Sequence, residues 1–149
     1  MNHFKKFSKI LVPIDGSENS MAAADYGIAL AKKDNAKLVI LNVIYTPAST
    51  FVYTKQAWFD EFLKKAKDEA EEWFDKVRNN ATENGVEFKT ETVEELYSIT
   101  AAIVKYAEKE NADLIIMGST GKTGFSRLLL GSVASDVLKH ATCPVLVIK

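Results

Sequence analysis

The residue types best suited to chemistry lie in one stretch, Gly118-Ser119-Thr120-Gly121-Lys122-Thr123-Gly124. Glycines at 118, 121 and 124 permit backbone conformations closed to other residues and let a ligand come close to the chain. Exposed peptide N–H groups on such a loop bind phosphate oxygens. Lys122 adds a positive charge, and Ser119, Thr120 and Thr123 add hydroxyl donors. Farther on, Gly131-Ser132 opens a helical stretch, and the free N–H groups at a helix start form an anion site. The chemistry these types can do together is to hold the phosphates of a nucleotide. The plain alternative, on composition alone, is a surface loop followed by a helix cap.

A second candidate is Pro13-Ile14-Asp15-Gly16-Ser17, a turn cluster behind a short branched apolar run. Asp15 could serve a ligand or simply cap the helix that follows. Two nucleotide motifs fail. A Walker A loop ending in Gly121-Lys122-Thr123 needs a glycine where Ile116 stands, and it would follow the fourth strand instead of the first. The G-x-G-x-x-G fingerprint of dinucleotide folds has no match in spacing. Other groups offer less. His3 and His140 lie far apart and Cys143 is the one cysteine, so no metal cluster is expected. His140 suits a helix end, where a cation is favoured. Cys143, just before Pro144, reads as inert. Trp58 and Trp73 read as core residues, and Asp68-Glu69 with Glu71-Glu72 as a solvated helix face.

The elements that must position these residues alternate along the chain. Ile10 to Ile14 is strand-like, and Glu18 to Lys33 is helical, with Met21, Ala24, Ile28 and Ala31 on one face and Ser17 as N-cap. Lys37 to Ile44 is almost continuously apolar, as in a strand covered on both faces. Thr46 to Thr54 reads as a loop. A long helix follows from about Ala57 to Asn84, with Phe59, Phe62, Ala66, Ala70, Trp73, Val77 and Ala81 as its stripe and Gly85 closing it. Val86 to Val93 alternates like a strand near a sheet edge. Ser98 to Glu110 is helical, with Ile99, Ala102, Ile103 and Ala107 buried. Asp113 to Met117 is a buried strand, Gly131 to His140 a helix and Pro144 to Ile148 a last strand. Strands separated by helices require right-handed crossovers, hence a doubly wound α/β sheet that is parallel and covered on both faces. Ligands of such sheets bind at the carboxyl ends of the strands, where strand order reverses. If the first and fourth strands are adjacent, both candidate segments border one crevice.

Composition narrows the classes. The 149 residues carry 19 basic and 20 acidic side chains, a net charge of −1, which argues against a protein whose main task is gripping nucleic acid or an acidic membrane. A single cysteine excludes an internal disulfide. No apolar stretch approaches the roughly 18 residues of a membrane span, and Ile10 to Ile14 is too short for a signal segment. A single cytoplasmic domain spanning 1–149 is expected.

Gly118-x2-Gly121-x9-Gly131-Ser132 resembles the ATP-binding signature of the universal stress protein family. Lys9 to Ser17 is similar to that family's first strand and turn, Ala112 to Ser119 to its fourth strand, and Leu130 to Ala134 with Cys143 to Val147 to its last helix and strand. The resemblance covers nearly the whole chain. It implies an open, Rossmann-like five-stranded parallel sheet of order 3-2-1-4-5, a homodimer joined through the last strand, 144–148, and the branch of the family that binds ATP, with Mg²⁺ or Mn²⁺. Carried over residue by residue, it implies that Asp15 contacts the ribose or the metal-bound phosphates, beside Pro13 and Ile14. Val43 and Met117 line the adenine pocket. Gly118, Gly121, Gly131 and Ser132 hold the phosphates, with Ser119, Lys122 and Val133 as neighbours. The sequence departs from the family where a glycine usually follows the third strand; here it is Glu95-Leu96-Tyr97-Ser98.

Two functions follow. One is a nucleotide-binding regulatory module for stress responses, in which bound ATP shifts the loop or dimer conformations that a protein partner meets. The other is a slow ATPase or nucleotidyl-transfer enzyme, for which Asp15, Lys122 and Arg127 are the available groups. Phosphoryl transfer needs a positioned base or water-orienting group, and no such constellation is present, so the binding module is the favoured reading.

Overall fold

The computed structural model describes residues 6–120 and 130–149. The described elements run β1 (Lys9–Pro13), α1 (Glu18–Asp34), β2 (Lys37–Tyr45), α2 (Thr50–Tyr53), α3 (Gln56–Glu83), β3 (Phe88–Glu95), α4 (Ile99–Glu110), β4 (Leu114–Gly118), α5 (Ser132–His140) and β5 (Val145–Ile148). The strands form one parallel sheet of order β3-β2-β1-β4-β5, as expected.

The period of two in a strand sorts the apolar residues into two layers. Ile10, Val12, Leu38, Ile40, Leu114 and Ile116 share one cluster with Ala24, Ile28 and Ala31 of α1 and Phe74, Val77 and Ala81 of α3. Leu11, Val39, Leu41, Ile115 and Met117 share the other with Ile103, Tyr106 and Ala107 of α4 and Ala134 and Val137 of α5. Strands apolar at every position are therefore those buried on both faces. Gly27 lets α1 lie close on the sheet, for a Cβ there would stand 2.8 Å from Val12 Cγ2.

The helix ends follow their capping residues. Ser17 and Ser98 accept from the N–H groups of Ser20 and Ala101 at 3.2 and 3.1 Å. Asn35 and Asn111 close α1 and α4 in the left-handed region, with φ of 55° and 57°. Gly85 follows α3 at φ 67°.

Several expectations are corrected. The segment 46–54 contains α2 and is not all loop. β4 begins at Leu114; just before it the Asp113 N–H donates to the Lys9 carbonyl at 2.9 Å and the Asp113 carboxylate accepts from the N–H groups of Ser8 and Lys9, at 2.8 and 3.0 Å, which ties the start of β1 to that of β4. The α3 stripe is buried only from Ala70 onward. No residue of 56–69 is buried, and Trp58 is 52% exposed instead of core. Phe74 is the fully buried aromatic of α3, while Trp73 is partly buried against the same cluster. Met21 and Ile99 are half-buried, and Tyr106 takes a place on the inner face of α4.

Candidate functional site

Strand order reverses between β1 and β4. From β1 the chain moves out to β2 and β3, then crosses back to β4 and β5. Both candidate segments leave the sheet at this point, at its carboxyl edge. The register pairs Leu11 with Val39 and with Ile115. Continued four residues onward, it sets Asp15 level with Val43 (39 + 4) on one side and Ser119 (115 + 4) on the other. The topology thus brings Pro13, Ile14, Asp15, Val43, Met117, Gly118 and Ser119 to one end of three neighbouring strands.

The first turn is fixed from both sides. The Ile14 N–H donates to the Leu41 carbonyl at 2.8 Å, and the Ile14 carbonyl accepts from the buried Asn42 Nδ2 at 2.9 Å. Asp15 Oδ1 accepts from the Ser17 N–H at 2.9 Å, and the Asp15 N–H donates to Ser20 Oγ at 3.2 Å. Ser20 Oγ in turn donates to the Ser17 carbonyl at 3.0 Å. The second oxygen of Asp15 takes no hydrogen bond among the described residues. Gly16 sits at φ 82°, and a Cβ there would fall 2.3 Å from Trp73 Cε2. The indole of α3 therefore lies under the turn, and only glycine fits above it.

The second segment is held at both flanks. The Ser119 N–H donates to the Ile148 carbonyl at 2.8 Å, and the Ser119 carbonyl accepts from the Gly131 N–H at 2.6 Å. The Asn19 side-chain amide donates to Thr120 Oγ1 at 2.8 Å and to Ser119 Oγ at 3.4 Å. α1 and the segment just after β4 are thereby joined. Gly131 is the N-cap of α5 and has no side chain to cap that helix. Ser132 is exposed and Val133 half-buried against the α4–α5 cluster. Gly121 and Lys122, with Thr123, Gly124 and Arg127, lie outside the described residues.

The unusual backbone expected at Gly118 is not found. Neither Gly118 nor Gly131 has positive φ. A Cβ on Gly118 would stand 2.9 Å from the Asn19 carbonyl carbon, and one on Gly131 would stand 2.8 Å from the Ser119 carbonyl oxygen. Close approach of chain to chain requires these glycines.

Val43 is half-buried and Met117 buried, both against the α4–α5 cluster. Asn19, Ser20 and Asn42 are the residues of this region that the sequence reading did not single out. Asn42 had a visible signal, as the one amide in an otherwise apolar strand. The others offer little to catalysis. Burial, aided by the Asp113 charge, pushes the Cys143 thiol up and keeps it protonated. His140 Nδ1 lies 2.8 Å from the Asp136 carbonyl of its own helix. Among the described residues no group of three or more His, Cys, Asp or Glu could hold a metal ion.

The family model described as the universal stress protein family matches residues 6–149. The chain belongs to this family. A universal stress protein of Methanocaldococcus jannaschii is 41% identical over 96% of the chain and 82% of its own length. The universal stress protein YxiE of Bacillus subtilis is 34% identical over 96% and 99%. Among solved structures, the hypothetical protein MJ0577 superposes with a TM-score of 0.85 at 32% identity over 97% of both chains. More distant universal stress proteins share the fold. They include one in complex with cAMP (23% identical, TM-score 0.64), one from Archaeoglobus fulgidus with dAMP (20%, 0.70) and one from Arabidopsis thaliana with AMP (18%, 0.68). No described helix of this universal stress protein is long and apolar enough to cross a membrane.

Proposed function

We propose that this universal stress protein is an ATP-binding regulatory module of the cytoplasm, that its nucleotide lies at the β1–β4 switch point, and that it works as a homodimer joined through β5. One observation carries the reading. The start of α5 at Gly131, an N-cap with no side chain to offer, is clasped to Ser119 just after β4, level by register with Asp15 just after β1. Free N–H groups at a helix start favour phosphate, and a carboxylate with an open oxygen suits a ribose hydroxyl or a phosphate-bound cation. The nucleotides held by members with the same fold support adenine as the base.

In this reading Val43 and Met117 flank the adenine, Pro13, Ile14 and Asp15 meet the ribose, and Gly118, Ser119, Gly121, Lys122, Gly131, Ser132 and Val133 surround the phosphates. Mg²⁺ or Mn²⁺ would neutralise phosphate charge. The chain supplies no cluster to hold such an ion alone among the described residues, so Asp15 and the phosphates would share it. In this reading Asp15 is taken up by ribose or metal and is not free to orient a water, and Lys122 would stabilise ground and transition states alike, which tightens binding without speeding hydrolysis.

The one-domain organisation and the β5 dimer belong to the same proposal. β5 pairs with β4 on one side only and ends the sheet. An unpaired apolar edge is an aggregation hazard that a second copy removes. The reading is tested by single-turnover phosphate release from protein loaded with ATP. Persistence of intact ATP supports it. Turnover in the ordinary enzyme range, about 1–10³ s⁻¹, that collapses in Asp15→Ala without loss of affinity would make the protein an ATPase.

A further inference from the structure

α3 is longer than the sheet it covers. Its 28 residues span about 42 Å at ~1.5 Å per residue. The nine residues of β2 span roughly 30 Å at ~3.3 Å each. The helix is buried from Ala70 to Ala81, so its first half, 56–69, projects beyond the carboxyl edge of the sheet.

That overhang keeps the apolar stripe. Phe59, Phe62, Leu63 and Ala66 continue at i, i+3, i+4 and i+7 the line of Ala70, Val77 and Ala81. None of these four packs against either core cluster. α2 covers one end, with the rings of Phe51 and Phe59 at 4.5 Å, and Trp58 stacks on Phe62 at 5.5 Å. Phe59, Phe62, Leu63 and Ala66 are each half-buried, and the apolar side chains beside them are open, with Trp58 52% exposed on α3 and Phe51 45%, Val52 73% and Tyr53 88% exposed on α2. Contiguous apolar surface rimmed by charge marks an interaction site.

Charge selects the occupant. Residues 55–69 carry four lysines and four carboxylates, so the segment is neutral and offers an anionic membrane no net attraction. The signs are ordered along the helix. Asp60 precedes Lys67 on the same flank of the stripe, seven residues apart, two full turns. A second α3 laid antiparallel about a two-fold axis near Leu63 and Lys64 sets the Asp60 of each copy beside the Lys67 of the other. A two-fold interface needs such self-complementarity.

We propose that the α3 overhang is an interface for a second copy of this chain, pairing stripe to stripe and antiparallel. This interface is separate from β5. Where both form, the assembly is larger than a dimer.

Sedimentation equilibrium of the full-length protein tests this, with Phe62→Glu as the disruptive variant. Circular dichroism checks its fold. The weight-average mass of Phe62→Glu is expected to be half that of the wild type. Asp60→Lys and Lys67→Asp each lower the mass, and the double exchange restores it. Leu146→Lys, on the exposed face of β5, separates this proposal from the β5 dimer. If both interfaces form, either variant lowers the mass. If β5 does not pair, only the α3 variants do. Equal mass for wild type and folded Phe62→Glu overturns the proposal. So does wild-type binding to phosphatidylserine vesicles, lost in Phe62→Glu without any change of mass, since the overhang would then be a lipid surface.

Discussion

Asn42 donates its buried side-chain amide to the carbonyl of Ile14, 2.9 Å away across β2 and the end of β1. The bond fixes the peptide that turns out of the sheet just before Asp15. Asn42 is 5% exposed, so neither partner can turn to bulk water without opening the core.

Asn42→Leu, close in size, leaves the Ile14 carbonyl unpaired. An orphaned buried acceptor costs about 1–3 kcal/mol, and at this chain length each kcal/mol lowers Tm by about 2–4 °C. Thermal unfolding should show that loss, and ATP affinity should fall with it as the Asp15 turn loosens. Unchanged Tm and affinity would remove Asn42 from the account.

Gly131 is expected to be intolerant of any side chain. Gly131→Ala places a Cβ 2.8 Å from the Ser119 carbonyl oxygen and forces the clasp between β4 and α5 to open. ATP affinity should drop at least tenfold (about 1.4 kcal/mol), with a modest fall in Tm. Gly121→Val should abolish binding in a protein that remains folded. Calorimetry on both variants checks this; wild-type affinity in folded Gly131→Ala would separate the clasp from the site.

Acid should weaken the amino end of the sheet in particular. The Lys89 ammonium hydrogen-bonded to Glu110 holds that carboxyl below the usual carboxylate range, against the opposing effect of burial. Tyr106 also donates to it, at 3.1 Å. A carboxyl with a depressed native pKa binds fewer protons folded than unfolded, so its contribution is present above the unfolded pKa and lost as pH falls through the native one. Urea midpoints measured from neutral pH down through the carboxylate range should decline less steeply in Glu110→Gln than in the wild type. Parallel curves would count against this role for Glu110.

The parallel sheet was legible because the signals in the chain are redundant: β1, β2 and β4 are apolar at nearly every position, and Ser17, Ser98 and Gly85 mark helix ends; the strand order was implied by the family resemblance alone. The site was legible as composition and less so as geometry. An unusual backbone was expected at Gly118, yet its φ is ordinary, and a Cβ at Gly118 or Gly131 would meet a neighbour 99 or 12 positions away (Asn19 and Ser119, respectively). Such long-range contacts leave no local periodicity. The same holds for α3, whose stripe runs on unbroken past the point where the sheet ends, so sequence could not tell the covered half from the overhang. Asn42 could have been read, since a lone amide in a strand apolar on both faces must find a buried partner.

The central claim, that ATP binds at the β1–β4 crevice, is tested most directly by calorimetric titration of nucleotide-free protein with ATP and Mg²⁺, wild type beside Asp15→Ala. The account predicts saturable binding of one nucleotide per chain, weakened in a folded Asp15→Ala protein. Absence of binding to the wild type, or equal affinity in the two proteins, would contradict it.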